Sequence, residues 1–179
     1  MMQDFFPDRK VLCSIKGKSS EYMVFKRKGK SNSRFTENYL YEVLLDDATA
    51  LVCGDLVTDT STNDYFVISR RNGYFSKIAQ LQRTNCTIDV YSVTGSLSSG
   101  YKSSSVSTDN PCAQSTVTAS MRQYDAGLLD TTVKKLILPQ ITLALNHRIV
   151  LNSKKYCVTA IDDGTYEGLY VVQVKDDTR

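Results

Sequence analysis

Apolar and polar positions along this chain alternate with a period of two more often than they recur at helical spacing. The alternating runs are short and separated by turn residues. The C-terminal part shows this most plainly. Arg148 to Leu151 is a β-branched apolar run, Asn152-Ser153-Lys154 is turn chemistry, and Tyr156 to Ile161 sets Tyr156, Val158 and Ala160 on one face. Asp162-Asp163-Gly164 breaks the pattern and Leu169 to Val174 resumes it, which predicts a three-stranded meander. The middle of the chain has the same order of parts. A strand around Leu56-Val57 corresponds to Ile149-Val150, and Tyr65-Phe66-Val67-Ile68 to Tyr156-Cys157-Val158-Thr159. Ser76 to Leu81 then corresponds to Leu169 to Val174.

We read this as an internal repeat of two meanders. A meander of three strands is about the smallest sheet that holds together alone, and only with one face covered. Two such halves facing each other bury both inner faces, so the expected fold is all-β: a small antiparallel β-barrel or sandwich with long loops. The expected domain organisation is a single β-barrel domain over residues 1–179, with an N-terminal extension over 1–35 and a Ser/Thr-rich loop insertion over 96–115.

The remaining segments fill in that outline. Met1 to Lys10 carries the apolar plug Phe5-Phe6-Pro7, expected to dock on the body or on a partner. Val11 to Ile15 and Glu21 to Phe25 predict a hairpin around Lys16-Gly17-Lys18-Ser19, and Lys26 to Ser33 has turn residues without an apolar anchor. Thr36 to Leu45 fits either period; Tyr39, Tyr41 and Val43 on one side favour a strand. Thr87 to Val93 continues the strands, and Thr116 to Tyr124 alternates Val117, Ala119 and Met121 as a further one. Asp130 to Leu138 is the one stretch with a claim to helix, and Pro139 would stop it.

Composition narrows the class without naming a function. With 179 residues and 41% apolar positions the chain can bury a substantial core. No apolar run approaches the roughly 18 to 20 residues of a membrane span, and Met1 to Val11 lacks the apolar centre of a signal peptide. Synthesis and retention inside a cell, or in a particle assembled there, is therefore expected. The five cysteines are odd in number, widely spaced and never in a Cys-x-x-Cys pair, which supports neither a disulfide framework nor a zinc site. Cys53, Cys86 and Cys157 lie in apolar strand patterns and read as small core residues; Cys112, in the Ser/Thr-rich stretch, is the expected exposed thiol.

Net charge is only +3, but it is unevenly spread. Lys16, Lys18, Lys26, Arg27, Lys28, Lys30 and Arg34 are answered nearby by Glu21 alone, and Tyr22, Phe25 and Phe35 are interleaved with them. Lysines along a groove with aromatic platforms are how small barrels hold single-stranded nucleic acid, so an OB-like single-strand-binding protein is the alternative reading. Lys26, Arg27, Lys28, Lys30 and Arg34 are the candidate loop for a partner or DNA.

Catalytic signals are weak. His147 is the only histidine, sits before a strand and has no nucleophile motif near it, so it reads as a turn residue. Asp46-Asp47, Asp162-Asp163 and Asp176-Asp177 fall at strand ends as turn chemistry, outside any calcium-loop pattern. Gly29-Lys30-Ser31 lacks the first glycine of a phosphate loop. No enzyme activity, metal or cofactor is expected.

One resemblance sharpens this. Ile-Leu-Pro-Gln at 137–140, the run Arg148 to Asp162, and Gly168 to Asp177 resemble small β-barrel proteins of tailed bacteriophages that close the capsid portal and join head to tail. Gly54-Asp55-Leu56-Val57 with Tyr65 to Ser69 is similar to the same pattern, and the likeness covers about half of the chain. The resemblance implies a structural virion protein of the viral neck, assembled in the host cytoplasm as a ring of copies. Its implied partners are a portal or adaptor protein on one side, a tail or tail-terminator protein on the other, and genomic DNA in the channel.

Overall fold

The computed structural model describes residues 10–27, 40–74 and 76–179. It divides into two compact units, Met1–Thr84 with Tyr166–Gly168, and Asn85–Thr165 with Leu169–Arg179. Each unit holds its own closed, six-stranded antiparallel barrel. The all-β expectation therefore holds, but the single domain over 1–179 is replaced by two barrels.

The first barrel comprises β1 (Lys10–Ile15), β2 (Glu21–Arg27), β3 (Leu40–Leu45), β4 (Leu56–Thr58), β5 (Asp64–Asn72) and β6 (Lys77–Arg83). The second comprises β7 (Cys86–Ser96), β8 (Gly100–Thr116), β9 (Lys134–Pro139), β10 (Arg148–Leu151), β11 (Lys154–Asp162) and β12 (Leu169–Asp176), with the helix α1 (Ala119–Tyr124) between β8 and β9. Round each wall the strands follow the same order: first, second, third, sixth, fifth, fourth, and back to the first.

The repeat is thus real, and larger than the meander. Each meander supplies the fourth, fifth and sixth strands of its own barrel, and the three strands before it close the wall. The reason is geometric: three strands leave two open edges, whereas six can close without any. Residues 10–27, expected within an N-terminal extension, are two wall strands of the first barrel.

The likeness extends to single hydrogen bonds. β5 pairs with β6 through a register shift between Val67 and Ser69, and β11 with β12 through one between Val158 and Ala160. Val67 exchanges backbone bonds with the turn before β4, Gly54 N–H to Val67 O and Val67 N–H to Asp55 O. Val158 does the same with Asn146 and His147 before β10. Gly54 and Asn146 both have positive φ, 85° and 65°, a conformation open to glycine and tolerated by asparagine.

Alternation fills both cores. Cys13 and Ile15, Val43 and Leu45, Tyr65 and Val67, Ala79 and Leu81 point into the first barrel. Ile88 and Val90, Leu136 and Leu138, Ile149 and Leu151, Tyr156 and Val158, Val172 and Val174 point into the second. The β10–β11 turn is tight, with Asn152 and Ser153 at φ 48° and 64° between the paired residues Leu151 and Lys154, as two-residue hairpins require.

Two local expectations reverse. Residues 119–124, read as strand, form α1, capped by Thr118, whose hydroxyl accepts the Met121 N–H at 3.2 Å. The helix contains no β-branched residue and buries none of its side chains. Asp130 to Leu138, the stretch with a claim to helix, instead leads into β9 (Lys134–Pro139), because the third place in the second barrel lies between β8 and β12 and is filled by Leu136 and Leu138 facing inward.

The Ser/Thr-rich segment is also not a loop. It forms most of β8, whose 17 residues pair with β7 from Cys112 out to Gly100. β7 meets β10 only at Asp89 to Tyr91, and β8 meets β9 only at Ala113 to Thr116. Beyond those points, among the described residues, Ser92–Ser96 and Gly100–Ser104 pair only with each other, as a two-stranded ribbon. Serines are tolerated because the ribbon has no core face to fill. Its tip turns at Gly95, φ 108°, where a Cβ would lie 2.1 Å from the Gly100 carbonyl oxygen. Gly95→Ala is expected to open the tip, seen as faster amide exchange at Ser96 to Tyr101, at a cost of about 1 kcal/mol or more.

Candidate functional site

The basic segment starts where β2 ends. Lys26 is exposed and lies opposite Glu42 in the β2–β3 ladder, and Arg27 lies opposite Tyr41. Glu42 also holds Arg71 at 3.1 Å, so the first of these cations stands beside an acid rather than in a purely positive field. Lys28, Lys30 and Arg34 lie outside the described residues, as does Phe35.

The aromatic residues divide between core and surface. Phe25 packs against the first core in a cluster with Tyr41 and Tyr65, ring centroids 6.2 and 5.4 Å away. Tyr22, on the other face of β2, is 54% exposed. Phe25 is therefore a wall residue turned inward and not an open platform for a base.

Tyr65 also closes the β4–β5 connection. Its hydroxyl donates to Asp59 at 2.9 Å, and the same carboxylate accepts the Ser61 and Asn63 N–H groups. Burial alone would raise the Asp59 pKa; the bonds from Asn63, Tyr65 and Ser61 outweigh it and hold it below 3.8. Burial and then Asp59 push the Tyr65 phenol upward, and the same two causes, in that order, take the Cys13 thiol to about 12.

His147 occupies the place that Asp55 holds in the first barrel. Its Nδ1 accepts the Ala144 N–H at 3.3 Å, while the Asp55 carboxylate accepts the Val52 N–H at 2.8 Å. Both close the turn that leads into the fourth strand. The paired acids have comparable tasks: Asp162 accepts the Gly164 and Thr165 N–H groups, and Asp177 binds Arg148 and Arg179.

A pocket of about 250 Å³ lies on the first barrel, lined by Lys10, Ser20, Glu21, Tyr22, Val24 and Thr49 among others. It falls short of the roughly 300 Å³ at which small-molecule sites begin. Of the two carboxylates that line it, Glu21 and Asp46, Glu21 already accepts the Thr49 hydroxyl and the Ala50 N–H.

The thiols depart from expectation. Cys157 is buried as anticipated and Cys53 and Cys86 are half-buried, but Cys112 is fully buried. With Gly100–Thr116 a strand, Cys112 falls on the inward face of β8, within the second core.

The feature with most to offer a partner is the β7–β8 ribbon, which sequence reasoning missed. Leu97 at its tip is 91% exposed, and Ser96 shares hydroxyl contacts of 2.9 Å with Ser98 and Ser99. Among the described residues, neither outer edge has a neighbouring wall strand, the geometry that accepts an added strand. A signal existed in Gly95-Ser-Leu-Ser-Ser-Gly100, a turn flanked by Val93-Thr94 and Val106. No protein-family model matches the chain, and no curated protein matches it.

Proposed function

We propose that this chain is a non-enzymatic assembly protein of the tailed-bacteriophage neck, working as a ring of copies that closes the portal and joins the DNA-filled head to the tail. The observation that carries the reading is the ribbon. Two closed barrels offer no wall edge for pairing, so Ser92–Ser96 and Gly100–Ser104, with bare outer edges and Leu97 at the tip, are the segment suited to grip a neighbour. An isolated two-stranded ribbon is marginally stable in water, and strand addition from an adjoining subunit would hold it. Contacts of that head-to-tail kind form a ring where the rotation from one copy to the next closes. The resemblance of Gly54 to Val57, Tyr65 to Ser69 and the C-terminal run to phage head–tail connectors supplies the biological setting.

The ring's partners in this reading are the portal or an adaptor above and a tail protein below. Lys26, Arg27, Lys28, Lys30 and Arg34 serve as the loop facing an acidic neighbour or the DNA in the channel, where positive charge would meet phosphate.

Immunogold labelling of purified virions with an antibody against the chain tests the proposal. Label at the head–tail junction is expected; particles that lack the chain, or carry it on the head shell or tail tip, would overturn it. Replacing Lys26, Arg27, Lys28 and Lys30 together by serine is expected to leave both barrels folded and to reduce DNA retention in assembled heads. Unchanged assembly and retention would remove the charged loop from the mechanism.

A further inference from the structure

Cys86 opens β7, and Cys112 lies directly opposite it in β8, their Cα atoms being partners in the antiparallel register. Opposed residues in such a ladder have Cα atoms about 4.5 to 5.5 Å apart, within the roughly 4.4 to 6.8 Å that a disulfide bridges. Cys86 Sγ donates to the Cys112 carbonyl oxygen at 3.5 Å, which places its thiol against the backbone of its register partner. No other two of the five cysteines are register partners: Cys13 faces Glu21, Cys157 faces Arg148 and Lys175, and Cys53 lies outside the strands. Cys112 is fully buried while Cys86 is partly exposed, so one thiol of the pair is within reach of solvent and the other waits behind it.

We propose that Cys86 and Cys112 are a modification site, a thiol pair that a low-molecular-weight disulfide converts into a cross-strand disulfide at the end of the β7–β8 ladder farthest from the ribbon. Cys86 reacts first. The neighbouring Cys112 thiol, aided by the charge of Lys134 and opposed by burial, holds the Cys86 thiol below the ordinary 9.0, whereas burial pushes Cys112 well above that value. The Cys86 thiolate attacks one sulfur of the small disulfide; that S–S bond breaks and the first small thiolate leaves. The Cys112 sulfur then attacks Cys86 Sγ, giving up its proton, and the second small thiolate leaves. Two protein thiols are oxidised by two electrons, and the small disulfide becomes two thiols that take up the two protons. The new bond joins β7 and β8 at the end of the pairing that includes the ribbon, closing the chain from Cys86 to Cys112 into a loop.

The site stands apart from the neck assignment and can be tested on the purified full chain. The folded protein is equilibrated with oxidised and reduced glutathione over a range of ratios, quenched with acid and mapped by mass spectrometry after trypsin. Cleavage after Arg83, Lys102 and Arg122 places the two cysteines on separate peptides, Thr84–Lys102 and Ser103–Arg122. The expected result is a linked pair of these peptides, two mass units lighter than their sum and separated by reductant. Cys112→Ser is expected to stop the reaction at one glutathione on Cys86, and Cys86→Ser to leave Cys112 unmodified. Free thiols at both positions under native conditions, a lasting glutathione adduct on Cys86 of the unsubstituted chain, linkage to a different cysteine, or a link that forms only in denaturant would each overturn the proposal. The main measurement needs no substitution, so it decides the matter even if a variant fails to fold.

Discussion

Leu136→Ala is expected to destabilise the second barrel by about 2 to 5 kcal/mol, and Leu81→Ala the first barrel by a similar amount. Both side chains are fully buried, each in a core made of residues from its own unit. Leu136 is an inward residue of β9, between Gln114 of β8 and Val172 of β12, so truncation leaves a cavity at the seam where the third and sixth strands meet. Leu81 lies on the sixth strand of the first barrel, between Tyr41 on β3 and Val67 on β5. Hydrogen exchange separates the two effects. Leu136→Ala should speed exchange in β7 to β12 more than in β1 to β6, and Leu81→Ala the reverse. Equal loss across all strands in both variants would mean that the two cores melt as one cooperative unit.

Asp177→Ala is expected to cost about 3 to 5 kcal/mol, because it leaves a buried guanidinium without its counter-charge. The Asp177 side chain is 1% exposed and that of Arg148 8%. Arg148 Nε donates to Asp177 at 2.8 Å, Arg179 Nε donates to it at 2.9 Å, and Arg148 also donates to the Arg179 carbonyl. These bonds hook the last residues of the chain round the start of β10. Burial by itself would raise the Asp177 pKa, but the hydrogen bonds from Arg179 and Arg148 outweigh it and hold the carboxyl well below 3.8. A depressed folded-state value gives stability that is complete above the unfolded value and is lost as pH falls toward the folded one. In chemical denaturation the gap between the natural chain and Asp177→Ala should therefore be full at neutral pH and narrow once pH drops below about 4. A gap that stays constant down to about pH 2 would show that the carboxylate's charge is not what matters there.

The resolved strands show where reading the sequence succeeds. The matched meanders occupy equivalent places in the two barrels, down to the paired register shifts beside Val67 and Val158. They were legible because a wall strand with one buried face must alternate, and Tyr65, Val67, Tyr156 and Val158 do so without competing signals. Asp130 to Leu138 failed the same test because Leu136, Ile137 and Leu138 run together; Ile137 is also buried, so alternation is hidden. Residues 119–124 failed in the opposite sense, since Ala119 and Met121 mimic alternation in a helix that buries nothing. The candidate cations were visible as charge alone, whereas the ribbon and the Cys86–Cys112 pairing depend on register.

By itself the sequence determined that this is a β protein with a repeated half, since period-two burial and turn residues are local properties carried by neighbours in the chain. Only the tertiary structure decided that each half closes into its own barrel, that the serine-rich stretch stands out as a paired ribbon, and that Cys112 is buried opposite Cys86. Those outcomes depend on which strands meet across tens of residues, and closure, edge exposure and cross-strand neighbours are set by that long-range pairing.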